Sequence, residues 1–252
     1  MAFPQMKGKH KEEALFSPHN FIANARKNGE IVETVPKNII INYDKSLARK
    51  IIKSKSARPM IFFGRKNNLF RIGNNIAIFI DFGIGAPATA AYIEELIALG
   101  AKNFINIGTA GTLQNLPIGS FVVCDKAIRD EGVSHHYFKS GKYSYASKKL
   151  TAKLEKTMKK MKLNYRKGTT WTIDAPYRET IAEVKRYKKE GVLTVEMEAS
   201  AVFAVAKCRG VNAASVFAIS DTLGDSEWVP EFHKIAKSKS KLLDVAIKVL
   251  SG

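Results

Sequence analysis

The sequence predicts an α/β fold in which a sheet of short buried strands is covered by helices, within one domain over residues 1–252. Three observations predict it. The chain has 252 residues, 45% of them apolar, which is enough for one sizeable core. Apolar β-type runs alternate with helical patterns along its length. Glycine-rich loops follow several of those runs, where ligands usually meet the strand ends of such sheets.

In chain order, the first strand is "NIIIN" (38–42), followed by "NIAIFI" (75–80). Ala86-Pro87 then opens a helix, since proline suits a first helical turn. That helix carries Ala88, Ala91, Tyr92, Leu96 and Leu99 on one face and stops at Gly100. The runs "FINI" (104–107), "SFVVC" (120–124) and "VLTV" (192–195) read as three more strands. A second clear helix runs from about Glu196 to Arg209 and ends at Gly210, and "SVFAIS" (215–220) closes the set of strands. No internal repeat or low-complexity linker is visible, and residues 1–12 read as the least ordered stretch.

The formal charge of +18 is carried partly by "KTMKKMK" (156–162), "KRYKKE" (185–190) and "HKIAKSKSK" (233–241). These runs lack interleaved aromatics and match no nucleic-acid reader motif, so they read as solvated helix faces and argue against a nucleic-acid partner. No 18-residue apolar run exists and "MAFPQMKGKHKEEALF" has no apolar core, so neither a membrane partner nor a secretory signal is indicated and a cytoplasmic location is expected. Cys124 and Cys208 lie in apolar runs and read as small buried residues; no metal motif is visible.

The informative residues fall in the loops after strands, "DFGIGAP", "GTAGTLQ" and "DTLGD", whose glycines let backbone N–H groups approach an anion or a sugar. Beside them stand carboxylates in apolar surroundings: Glu196 and Glu198 flank Met197 at a strand-to-helix transition, and Ser220-Asp221 ends the last strand. On composition alone the two glutamates would merely complement a helix dipole, worth about 0.3–1 kcal/mol. Asp221 alone would read as a turn residue before Gly224.

Together these segments resemble the nucleoside phosphorylase family, which holds purine nucleoside and uridine phosphorylases and related nucleosidases. The resemblance is carried by "GIGAPATAAYIEELIALGAKNFINIGTAGTLQ" (83–114), "IGSFVVCDKAIRDEGVSHHY" (118–137), "VEMEASAVFAVAKCRG" (195–210) and "ISDTLGD" (219–225), in the family's order. It implies a single-domain fold with a central mixed sheet flanked by helices, and cleavage of an N-glycosidic bond in nucleoside catabolism or salvage. It further implies that Glu198 accepts the ribose hydroxyls, Met197 packs on the sugar with Glu196 close by, and Asp221 protonates the departing purine. Gly83, Gly85, Thr109 and Arg65, the last lent across a subunit interface, are implied at the phosphate or nucleophile site. Ala110, Gly111, Tyr177, Arg178 and Ser220 are implied around the base. Uridine-specific members use a Gln and an Arg where "TIDAPYRET" (172–180) offers no Gln, which favours a purine.

The nucleophile departs from the family pattern. Phosphorolytic members carry a glycine-aspartate-proline loop and an arginine before the Gly-Thr turn; here "NYDKSLAR" and Asn106 stand there. Lost guanidiniums mean lost bidentate hydrogen bonds to phosphate. Lys45, Arg49 or the general positive field could still hold it. Phosphorolysis with inorganic phosphate as co-substrate and no other cofactor is the first reading. A water-using nucleosidase, a uridine phosphorylase and a catalytically quiet basic binding protein are the alternatives. The family also implies a homo-oligomer, a dimer or hexamer. His19 could reach a neighbour's site or merely cap, one of His135 and His136 could line the pocket or only pack in its loop, and His233 has no assignable role.

Overall fold

The computed structural model describes residues 3–6, 8–30, 32–53, 57–63, 65–139, 141–224 and 227–252, and of residues 65–67 only the backbone. Helix α1 (Pro18–Lys27) is followed by strand β1 (Asn38–Asn42), α2 (Lys45–Lys53), β2 (Ala57–Phe62), β3 (Arg65–Ile72) and β4 (Ile76–Phe79). Next come α3 (Ala86–Ala98), β5 (Asn103–Thr112), β6 (Phe121–Asp130), α4 (Ser134–Tyr137), β7 (Tyr143–Tyr145) and α5 (Lys148–Lys160). The chain continues with β8 (Tyr165–Ile173), α6 (Ile181–Lys189), β9 (Thr194–Glu196), α7 (Ala199–Cys208), β10 (Asn212–Leu223), β11 (Trp228–Pro230) and α8 (Ala236–Ser251).

Among the described residues the strands join one mixed sheet. β1 runs parallel to both β4 and β5, and β5 parallel to β10. β10 pairs antiparallel with β6, β6 parallel with β8, β8 parallel with β9, and β9 antiparallel with β5. The last pairing closes β5, β10, β6, β8 and β9 into a ring, so the end of β5 meets β9 and the end of β10 at one rim. The flank β4–β3–β2 is antiparallel and open.

Alternation along the strands splits the core. Ile39, Ile41, Phe79 and Phe104 join Ala90, Ile93 and Leu96 of α3 and Val202 and Phe203 of α7 in one buried cluster. Ile40, Ile78, Ile105 and Val216 join Leu154 of α5 and Leu242, Val245 and Val249 of α8 in another. Both faces of the central strands are therefore covered, which is why they read as unbroken apolar runs. A smaller cluster under α6 packs Trp171, Val184, Tyr187 and Val195 around the rim.

Three expectations need correction. α3 occupies the expected span but buries Ala86, Thr89, Ala90, Ile93, Glu94 and Leu96, while Ala91 is exposed. The alanine-rich stretch offered two nearly equal apolar faces, and Ile93 chose between them. α7 starts at Ala199 because Glu196 is still the last residue of a strand. Cys124 is buried, but Cys208 is exposed at the end of α7. The lysine runs lie on α5, α6 and around α8, with Lys156, Lys159, Lys160, Lys185 and Lys189 exposed. Among the described residues no helix is long and apolar enough to cross a membrane.

Candidate active site

The rim where β5, β9 and β10 converge encloses a cavity of about 420 Å³. Of the residues singled out from the sequence, Thr109, Ala110, Gly111, Tyr177, Glu196, Met197, Ser220 and Asp221 line it. Pro176, Glu179, Val195, Leu223, Trp228 and Phe232 line it as well and were not anticipated.

Local backbone features aim these side chains. The β10–β5 register shifts between Ile219 and Asp221, opposite Ala110 and Gly111, so Ser220 is an extra residue that swings the end of β10. Gly111 is glycine because a Cβ there would collide with Leu223 Cδ1 and lie 2.8 Å from Asp221 Oδ2. Asp221 is 7% exposed and both its oxygens accept, from Ser220 Oγ at 2.6 Å and from Trp228 Nε1 at 2.8 Å. Trp228 is brought there by β11, which pairs antiparallel with the end of β10.

The two glutamates differ in their partners. Glu196 Oε1 accepts from the Thr172 hydroxyl at 2.6 Å, and Oε2 accepts the backbone N–H groups of Glu198 and Ala199 at 2.9 and 2.8 Å. It thereby satisfies the open amides at the start of α7. The Glu198 carboxylate accepts the Gly85 N–H at 2.6 Å, which ties the glycine loop after β4 to α7. Gly83 and Gly85 both have positive φ, 99° and 97°, which that tight approach uses. Burial holds both carboxyls above their ordinary range, and for Glu198 the neighbouring Glu196 charge adds to it. With three donors on Glu196 and fewer on Glu198, the proton the pair retains belongs on Glu198. Glu131 stands beside them, accepting from Ser200 Oγ and the Ser134 N–H.

Some expected residues are elsewhere. Glu198, Gly83, Gly85 and Arg178 do not line the cavity; Glu198 and Gly85 meet each other, and Arg178 is exposed. Tyr177 lines the cavity with its side chain fully exposed. The side chain of Arg65 lies outside the described residues. Asn106 is completely buried in mid-sheet, donates to Ser215 Oγ at 3.1 Å, and does not line the cavity. Lys45 and Arg49 are exposed on α2, and among the described residues no lysine or arginine lines the cavity or hydrogen-bonds to Glu196, Glu198 or Asp221.

Tyr43 lies two residues beyond Ile41 of β1, at the start of the loop into α2. Its ring lies 3.6 Å from where a Gly108 Cβ would stand, and Thr89 Oγ1 donates to its hydroxyl at 3.4 Å. Burial, with the Glu198 charge, holds this phenol above its ordinary range. His19 sits exposed in the first turn of α1, behind a Ser17 capping box. His135 and His136 pack in their loop: His135 Nε2 bonds the Arg129 carbonyl at 3.0 Å, and His136 Nδ1 meets Lys9 Nζ at 2.7 Å. His233 is exposed beside Glu231.

Two features of the missed set carried a sequence signal. Thr170 and Thr172 alternate around the buried Trp171, which places two hydroxyls on one face of β8, and Trp228 follows the "SDTLGD" segment closely. Glu179 and Tyr43 lie in irregular segments where spacing indicates no direction.

The strand ends of this mixed sheet thus gather Glu196, the Ser220–Asp221 pair and the Thr109–Gly111 turn around one cavity, with Glu198 and Gly85 joined to each other outside its lining. The chain belongs to the phosphorylase superfamily, whose family model matches residues 56–248. It is 33% identical over 148 residues to a DeoD-type purine nucleoside phosphorylase of Bacillus cytotoxicus and equally to one of Bacillus cereus. Each match covers 58% of this chain and 63% of the relative, so the similarity spans less than two thirds of those proteins. A uridine phosphorylase from Vibrio fischeri superposes with a TM-score of 0.75 at 24% identity, over 87% of this chain and 95% of that one. A purine nucleoside phosphorylase from Toxoplasma gondii, in complex with immucillin-H, superposes at 0.76 and 23%, over 86% and 91%. These two share the fold.

Proposed function

We propose that this chain cleaves the N-glycosidic bond of a purine (deoxy)ribonucleoside and transfers the sugar to phosphate, giving free base and ribose 1-phosphate. The observation that carries the reading is the single cavity onto which Met197 with Glu196, Thr109 with Gly111, and Ser220 with Asp221 all open. Cleavage places positive charge on the sugar and negative charge on the leaving base. Buried carboxyls beside the sugar and an acid beside the base oppose those two charges where they develop. In this reading Asp221 gives a proton to the purine, Glu198 and Glu196 hold the ribose end, and Met197 excludes water from it. Thr109, Gly83, Gly85 and Arg65 serve the nucleophile. Ala110, Gly111, Tyr177, Arg178 and Ser220 serve the base. The active form is a cytoplasmic homo-oligomer, a dimer or hexamer, needing no cofactor beyond phosphate.

Hydrolysis is the second reading, and Tyr43 is the observation that favours it. A neutral phenol with two carboxyls near it brings no positive charge to a phosphate dianion, and Asn106 is buried away from the cavity. The test is to incubate phosphate-free protein with inosine, adenosine, guanosine, uridine and methylthioadenosine, and then add phosphate. Base release that needs phosphate and yields ribose 1-phosphate supports phosphorolysis. Free ribose formed at the same rate without phosphate replaces it with hydrolysis. No release from any nucleoside under either condition removes both.

A further inference from the structure

We propose that the chain carries a second small-molecule site, away from the rim, that binds a sugar phosphate. The sugar hydroxyls bond Asp125 and Thr151 at its floor, and the phosphate meets Lys126 and Lys148. This site shares no lining residue with the rim cavity, so the proposal stands apart from the cleavage reaction.

The second cavity has a volume of about 440 Å³ and lies where β6, β7, α5 and β8 meet. That is room enough for a compact metabolite. The β6–β8 register shifts between Cys124 and Lys126, so Asp125 is an extra residue without a partner on β8, the kind of irregularity that re-aims a side chain. Lys148, Thr151 and Glu155 follow at helical spacing along one face of α5, and Lys167 joins them from β8. Tyr145 of β7, more than half exposed, also lines the cavity.

Two oxygens here lack what buried oxygens ordinarily have. Asp125 Oδ1 and Thr151 Oγ1 are both shut off from water and have no hydrogen-bond partner among the described residues, and Thr151 as a whole is only 6% exposed. Leaving them unpaired is costly, and the threonine does not relieve the cost on the carbonyl one turn back, as helical threonines can. A ligand hydroxyl serves both once either side chain turns about one torsion: it donates to the carboxylate and exchanges a hydrogen bond with the threonine. The charges define the rest of the ligand. Lys167 is paired with Glu155 at 2.9 Å, whereas Lys126 and Lys148 have no carboxylate partner among the described residues, and Lys126 rests 4.6 Å over the Tyr143 ring. Two lysines without counter-charges above a floor that seeks hydroxyls suit a phosphate ester of a polyol and oppose a metal cation.

The test titrates ribose 5-phosphate, inorganic phosphate, ribose and inosine 5′-monophosphate into the wild-type chain by calorimetry at low salt. Ribose 5-phosphate is expected to bind more tightly than phosphate or ribose alone. Lys126→Gln combined with Lys148→Gln should weaken it by about tenfold or more, the size of one hydrogen bond to a charged group. Thr151→Val should weaken ribose 5-phosphate by about threefold to tenfold and leave phosphate unchanged, with a melting temperature equal to the wild type or higher, because the hydroxyl it removes has no partner. Asp125→Asn should lower the ratio of ribose 5-phosphate to phosphate affinity, since only the sugar loses an acceptor while the change in charge acts on both ligands. Tighter binding of inosine 5′-monophosphate that Tyr145→Ala abolishes identifies a nucleotide as the source of the sugar phosphate, and equal binding identifies the sugar phosphate itself. No binding of ribose 5-phosphate, or binding that reversal of the exposed Lys159 and Lys160 weakens as much as the cavity lysines do, overturns the proposal. So does binding that Glu198→Gln removes and the cavity variants leave unchanged, which places the ligand at the rim. None of these results bears on nucleoside cleavage.

Discussion

Each carboxyl at the rim has a different set of partners, and the partners separate their roles. Glu196 is occupied by a threonine hydroxyl and two amides, so it orders the start of α7, while Glu198 keeps a proton that burial and the Glu196 charge hold on it. That proton makes a pH prediction. The folded chain retains it at pH values where the unfolded chain has lost it, so stability falls as pH rises from the ordinary carboxyl range up to the raised one. Urea unfolding of the wild type and Glu198→Gln across that window should show the slope in the first and a flatter profile in the second. Trp228 supplies a second prediction. Its indole donates to the Asp221 oxygen that a purine would need, so Trp228→Phe should tighten binding of the free base, by up to about fivefold for one neutral hydrogen bond. Titration calorimetry with hypoxanthine measures it, and weaker binding in the variant would show that the indole serves the base instead of competing with it. At this scale the sequence showed the acids, because charges in apolar runs stand out. It did not show Glu179 or Tyr43, whose neighbours come from distant segments, and it marked Trp228 only by its place seven residues past the acid.

Elements bring the site together through backbone irregularity at strand ends. The bulge at Ser220 and the missing side chain at Gly111 let β10 and β5 converge without Asp221 being displaced. Gly111→Ala should push Leu223 and the acid aside, at about 1–3 kcal/mol of overpacking, and should lower turnover by more than the lost stability explains. Thermal melts beside kcat/KM separate the two effects, and a variant with normal activity would show that the acid's position is not set by this contact. The strands buried on both faces, β1, β4, β5 and β10, were legible as apolar runs. β2 and β8 were not, because arginine, proline, lysine and glycine interrupt them at exposed or half-buried positions. The α3 face was misread by about one residue for a related reason, since small alanines do not mark a direction.

For the whole molecule, the ring of β5, β10, β6, β8 and β9 fixes where the rim cavity lies, and lysines of α5 and α6 are exposed on its exterior. Reversing charge at Lys159, Lys160 and Lys189 should leave nucleoside cleavage unchanged, because these side chains are exposed on α5 and α6 and do not line the cavity. A tight, salt-sensitive complex with RNA or DNA that those changes abolish would point to a different role for the exterior. The fold class and the glutamate and aspartate pairs could be read from sequence through strand patterning and the family resemblance. The surroundings of Asn106 and Tyr43 could not, because pairing across β1, β5 and β10 decides them.

The central claim is that the cavity between β5, β9 and β10 breaks a glycosidic bond with Asp221 as the acid. Release of hypoxanthine from inosine in the presence of phosphate, followed by chromatography for wild type and Asp221→Asn side by side, tests it most directly. The account predicts base and sugar product in equal amounts from the wild type, and a rate lower by about 10²–10⁴-fold in the variant with its fold intact. No release by the wild type, or an undiminished rate in Asp221→Asn, would contradict it.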